Sequence, residues 1–163
     1  MVLLTGSFSE LSRLRTAHPN AIFIAVTRAK PPVEGVYWMP SLGPSASLLK
    51  EFLEARRALK DRGLEPFQAH KRAWEELGYD ERYVRQVLTD RAAKERIERI
   101  RRWLAEGKTV VLLCHEPESW RPYCHRFLLR DIILGRPRVL PKKHVKQSSL
   151  EEFLGGGWPE GEG

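Results

Sequence analysis

The chain has 163 residues, 42% of them apolar and 30% charged, which is the size and balance of one globular domain able to bury a sizeable core. No apolar run approaches the roughly 20 residues of a membrane span, and the N-terminal MVLLTGSFSEL lacks the basic start of a signal peptide, so a cytoplasmic protein with no membrane partner is expected. The net charge of +7 suits an anionic partner, either a small molecule or nucleic acid bound weakly and without sequence preference.

Val2, Leu3 and Leu4 read as a first strand, broken by Thr5-Gly6-Ser7. Ser9 is placed to cap a short helix through Leu14, with Glu10 near its positive end. Pro19-Asn20 is a turn, and the apolar run from Ile22 to Val26 predicts a buried strand. That strand ends in Thr27-Arg28, where a long cation must reach water or an anion. Ala29 to Pro44 reads as a long loop carrying Tyr37, Trp38 and Met39.

A helical middle follows, over about residues 45–107. Ser47 is a candidate N-cap for a helix whose Leu48, Leu49, Phe52, Leu53 and Leu59 recur at three and four residue steps up to Gly63. Pro66 opens a second helix with Phe67, His70, Trp74 and Leu77, closed by Gly78. Asp80 is placed to cap a third, whose pattern breaks near Asp90. A fourth runs to Gly107, and its mixture of arginine and glutamate between Arg91 and Arg102 predicts a self-neutralised, solvated face.

Thr109 to Leu134 is the stretch around which the chain is organised. Val110 to Leu113 predicts a buried strand, Pro117 and Pro122 mark a loop, and Phe127, Leu128, Ile132 and Ile133 predict a helix. Both cysteines lie here, Cys114 at the strand end and Cys124 at the helix start. Gly135-Arg136-Pro137 is a turn, Arg138 to Leu140 a candidate last strand, and Lys142, Lys143 and Lys146 a second basic cluster. Ser149 could cap a short helix before a tail over residues 155–163. The whole predicts an α/β fold: a single domain over residues 1–154, with a small mostly parallel sheet and helices on both faces.

Ligands of open α/β sheets bind at the carboxyl ends of the strands, beside helix N-termini. The candidate catalytic residues are therefore Cys114, Glu116, Cys124 and His125: a thiol acidified by neighbouring cations or a helix dipole, and acid–base groups next to it. The Cys114–Arg121 spacing does not fit the phosphate loop of cysteine phosphatases. Arg28 and Arg126 are candidate anion ligands, expected in one pocket with Glu116, an anion or water between them. Alternatively, the cysteines are small core residues, and Arg126 is part of a capping and ion-pair cluster with Glu116. The pattern Cys114-His115…Cys124-His125 does not suit a four-ligand zinc site, because adjacent strand residues point to opposite faces. No metal and no cofactor is expected, and both thiols should be free and close together.

Three segments resemble the domain-of-unknown-function 488 family: Thr5-Gly6-Ser7-Phe8, the strand Ile22 to Arg28 with Lys30-Pro31-Pro32 after it, and Leu112-Leu113-Cys114-His115-Glu116 with Cys124-His125-Arg126. The resemblance implies an α/β fold with a shared pocket, to which Thr5 and Ser7 are added as substrate-binding candidates. It brings no established reaction. Two functions follow from the whole sequence: a thiol-dependent enzyme acting on an anionic, nucleotide-like substrate, and a non-catalytic nucleic-acid-binding accessory protein using the basic surface and the Trp/Tyr loop.

Overall fold

A computed structural model describes residues 2–137 and Phe153. Its strands are β1 (Val2–Ser7), β2 (Ile22–Ala25), β3 (Tyr37–Trp38) and β4 (Thr109–Cys114), all parallel, in the order β1-β4-β2-β3. Six α-helices accompany them: α1 (Leu11–Ala17), α2 (Ala46–Asp61), α3 (Pro66–Leu77), α4 (Tyr79–Thr89), α5 (Arg91–Ala105) and α6 (His125–Ile133). The fold is a single α/β domain with a parallel sheet, as the alternation of elements predicts.

The central strands are apolar on both sides because both sheet faces are covered. Ile24, Val110 and Leu112 belong to the larger core built with α2 to α6, whereas Phe23, Val111 and Leu113 belong to a smaller one with Leu11 and Leu14 of α1. This is the two-residue period of a strand read directly from burial. β4 lies between β1 and β2, with Ser7 opposite Cys114 and Ala25 opposite Leu113. The carboxyl ends of three strands therefore meet at one edge.

Several local expectations shift. Thr5-Gly6-Ser7 does not break β1: the strand continues to Ser7 because all six residues pair with β4. Ser7, not Ser9, caps the next turn, in a capping box with Glu10, and α1 continues past Leu14 to Ala17. The loop after Arg28 contains the edge strand β3 and a 3-10 turn at Pro40–Leu42. Two residues give too short a pattern to be read from sequence, so pairing with Ile24 and Ala25 decides it. Ser45 rather than Ser47 caps α2, accepting from Leu48 N. Gly78, in the left-handed region at φ 57°, closes α3 and starts α4, ahead of Asp80. Asp90 caps α5 through Ala93 N. The suggested strand Arg138 to Leu140, the Lys142–Lys146 cluster, the Ser149 cap and the tail over 155–163 lie outside the described residues.

The pocket edge is held by close backbone packing. A Cβ at Gly43 would lie 2.7 Å from the Arg28 backbone N and 2.9 Å from the Thr27 carbonyl carbon, neither of which can swing aside. Tyr83 Oη donates to Leu42 O at 2.6 Å from inside the core and ties the same turn to α4. Gly43→Ala should therefore cost about 1–3 kcal/mol, the usual range for overpacking. Urea unfolding checks this, and an unchanged midpoint would show that the approach is not tight.

Candidate functional site

Four of the sequence-predicted residues converge at the carboxyl end of β4. Cys114 is the last residue of β4 and Cys124 the N-cap residue of α6, and both are free and buried. Cys114 Sγ lies 3.3 Å from Glu116 Oε2, and Cys124 Sγ lies 3.6 Å from the same oxygen. His125 Nδ1 lies 4.0 Å from Cys124 Sγ, while its Nε2 meets the carbonyl oxygen of Val26. That carbonyl accepts the Nε2 proton, so Nδ1 faces the sulfur. One loop joins the strand end to the helix start, which is why residues ten apart in sequence face each other.

The two thiols are driven apart electrostatically. Cys114 is pushed well up by its hydrogen bond to Cys124, with burial and the Cys124 charge adding to this. Burial works against ionisation of Cys124 too, but the Cys114 hydrogen bond and the His125 charge outweigh it and bring the thiol down to about 5. His125 is raised: burial opposes its charge, and the Cys124 thiolate beside it overcomes the penalty. Glu116 is likewise held below its usual range: burial opposes its charge, but the His125 charge and the Cys114 hydrogen bond outweigh it. The proton is thereby favoured on Cys114 and His125 over Cys124.

Arg126 has no solvent exposure and stands behind the sulfurs. Its Nη1 donates to Cys124 Sγ at 3.6 Å and its Nη2 to Glu118 Oε2 at 3.3 Å. The carboxylate partner is thus Glu118, two residues beyond the Glu116 read from the sequence. Thr5 Oγ1 donates to Glu118 Oε1 at 2.6 Å, so Thr5 supports the ion pair from β1. Ser7 is buried and its side chain is engaged with Ser9 and Glu10.

A cavity of about 300 Å³ opens over Cys114, Glu116 and His125, and Cys124 is not among its lining residues. Cys114, Glu116 and His125 line it together with Phe52 and Tyr79, and Arg28 and Arg56 stand among its lining residues. Arg28 is exposed, whereas Arg126 does not line this cavity. The two arginines proposed as a joint clamp therefore act at different depths, Arg28 at the surface and Arg126 beneath Cys124.

Arg56 and His70 enter the site unannounced by any motif. Arg56 Nη1 lies 3.8 Å from Glu116 Oε1 and 3.2 Å from His70 Nδ1, and His70 Nε2 meets the carbonyl of Tyr123. Burial lowers the His70 pKa, so its neutral ring accepts from Arg56. A signal existed in α2: Arg56 falls four residues after Phe52 and three before Leu59, a charge inside the apolar stripe. Glu118 had no comparable signal, since it sits in an aperiodic loop.

Residues 9–136 match the family model described as the active DUF488-N3 subclade. The chain belongs to the DUF488 family. No curated protein and no solved structure matches it. In this family member, the segment carrying the two cysteines, Glu116, His125 and Arg126 lies wholly inside the matched region.

The site also gathers metal-binding atom types. Among the described residues, Cys114, Cys124 and His125 each offer one donor, all within 4.8 Å of one another. His115 is not part of the set; it is exposed and packs on Phe8 with ring centroids 4.9 Å apart. The sequence argument against paired neighbours thus holds for His115, but the fold recruits Glu116 beside the sulfurs instead.

The thiol asymmetry gives a measurable pH profile. Alkylation of Cys124 by iodoacetamide should lose its rate as pH falls through about 5, whereas an ordinary thiol inflects near ~8.5. Cys114 should stay slow across that range, its proton being held. Because the folded value of Cys124 is depressed, the linked stabilisation is complete above the ordinary thiol value and is lost as pH falls toward about 5. Mass spectrometric mapping of the two labelled cysteines decides the assignment, and equal rates at both would refute it.

Proposed function

We propose that the chain is a thiol-dependent enzyme acting on a small anionic substrate of nucleotide-like size. The observation that supports this best is the placement of the sulfur pair. Cys124 Sγ sits between Arg126, His125 and Glu116, and its partner Cys114 lines a cavity beside Arg28 and Arg56. Phe52, Leu49 and Tyr79 give that cavity an apolar wall for the body of the substrate, and the two arginines serve its charge.

The roles follow from the separated proton affinities. Cys124 supplies the nucleophilic thiolate, while the Cys114 thiol beside it donates to Glu116 Oε2. As the Cys124 sulfur bonds to the substrate, the bond to the leaving group breaks and the leaving group takes the His125 proton; water then displaces the sulfur, giving its proton to Glu116, from which it returns to His125. Arg126 keeps the thiolate charged without touching substrate. Arg28 binds the anion at the mouth.

Labelling in the presence of anions tests this reading. Nucleoside monophosphates, used as probes, should slow iodoacetamide modification of the chain and raise its Tm. Arg28→Ala should remove most of that protection, roughly tenfold in probe affinity, since an exposed charge-assisted contact is lost without disturbing the core. If neither nucleotides nor simple oxyanions alter the labelling rate, the anionic-substrate reading is wrong.

A second reading, weak nucleic-acid contact, has one specific observation behind it. Tyr37 and Trp38 are exposed at the sheet edge, and the Arg99 guanidinium lies over the Trp103 and Tyr37 rings at 4.7 and 5.4 Å. This aromatic–cationic face suits single-strand stacking. Several α5 charges are already paired, Arg91 with Glu95 and Arg101 with Glu98, which limits the number of phosphate contacts. Binding to single-stranded oligonucleotides should be about 10⁻⁴ to 10⁻⁶ M at low salt and fall steeply with salt. Sequence-selective binding that persists in 200 mM salt (about the upper end of the screening range) would place nucleic-acid recognition first.

A further inference from the structure

We infer that the Cys114–Cys124–His125–Glu116 cluster binds one zinc-class divalent ion, and that the bound ion takes both sulfurs out of reach of an electrophile. The inference concerns regulation of the proposed reactive centre; its second half rests on the thiol reading, whereas ion binding itself does not.

The first support is distance. A tetrahedral ion with sulfur at about 2.3 Å and nitrogen or oxygen at about 2.0 Å separates a sulfur from an oxygen or nitrogen donor by about 3.5 Å. Here Glu116 Oε2 lies 3.3 Å from one sulfur and 3.6 Å from the other, and His125 Nδ1 lies 4.0 Å from Cys124 Sγ. Three of the donors already fall within 4.8 Å of one another.

The second support is the outer shell. A histidine that ligates through one ring nitrogen usually donates the other N–H to a carbonyl or carboxylate. His125 directs Nε2 at Val26 O, which leaves Nδ1 toward the sulfurs. Glu116 is similarly steadied on its other oxygen by Arg56 at 3.8 Å. Ligand orientation is thus fixed by groups outside the set.

Charge gives the third. Two thiolates with Glu116 and Glu118 carry four negative charges; a divalent ion with Arg126 and Arg56 supplies four positive ones. The two thiolates and the imidazole nitrogen select a borderline-soft ion over magnesium or calcium. With both sulfurs coordinated, no thiolate is left free to attack.

Cobalt(II) provides the probe for zinc. The reduced full-length chain, stripped with a chelator, is titrated with cobalt and then zinc while iodoacetamide labelling of both cysteines is followed. One cobalt per chain is expected, with a thiolate-to-cobalt charge-transfer band that zinc abolishes. Zinc should slow labelling at least tenfold, and chelator should restore it. Glu116→Gln, checked for folding by circular dichroism, should weaken cobalt affinity roughly tenfold or more, in line with loss of a carboxylate at a metal site. Absence of the band, uptake without protection of the cysteines, or an unchanged affinity in Glu116→Gln would each overturn the inference. The two readings fail differently: slow labelling of the metal-free chain near neutral pH counts against the thiol enzyme, whereas fast labelling that zinc does not slow counts against the metal.

Discussion

A guanidinium with no solvent exposure is the constraint on which the site depends. Arg126 sits in the first turn of α6, surrounded by core residues of the same helix. A buried cation without compensation is unstable by several kcal/mol. The chain meets that demand twice, with Glu118 and with the sulfur of Cys124. The second solution has a chemical by-product: the sulfur that helps to neutralise the arginine is itself held as thiolate. The first draws Thr5 of β1 into the cluster, because Glu118 needs a donor for its other oxygen. One buried charge thereby links β1, the loop after β4 and the start of α6.

The sheet supplies the rest of the geometry. With β4 between β1 and β2, Ser7 and Cys114 are paired neighbours, and the backbone just after β2 presents the Val26 carbonyl to His125. Both imidazoles near the sulfurs, His70 and His125, are anchored through Nε2 to a backbone carbonyl, at Tyr123 and Val26 respectively. A ring fixed in this way has a defined tautomer and a defined free nitrogen. The environment then separates them: the Cys124 charge outweighs burial and raises His125, whereas burial lowers His70. The same side chain takes opposite roles a short distance apart.

Covering helices make the cluster dry enough for these effects to be large. Phe52, Trp74, Tyr79 and Tyr83 pack along the inner side of α2 to α4, with the Trp74 and Tyr79 rings stacked at 4.2 Å. Tyr79 and Tyr83 are so enclosed that burial raises both phenols well above their usual range. A low local dielectric strengthens every charge pairing inside it. It also penalises any unpaired charge, which explains why thiolate, imidazolium, carboxylate and guanidinium occur together. The exposed Arg28 lies outside that regime and has only solvent screening to deal with.

Most of the elements, and the meeting of the two cysteines, were legible in the sequence, whereas the two-residue β3 was not. Long periodic patterns made α2, α3, α4 and α5 legible, and continuous apolar runs made β2 and β4 legible, because hydrophobic period follows local geometry. The position of Cys114 at a strand end and of Cys124 at a helix start followed from the same patterns, as did the expectation that they meet. The partners of the site residues were set by long-range packing. Glu118 rather than Glu116 pairs with Arg126, Arg56 comes from the distant helix α2, and His115 packs on Phe8 at the cavity while His125 meets the sulfur of Cys124. Such choices depend on which side chains end within about 4 Å of each other inside a low-dielectric core. Spacing along the chain carries no information about that distance once an aperiodic loop intervenes. Strand order has the same status: the insertion of β4 between β1 and β2 is a long-range pairing, and no local pattern records it.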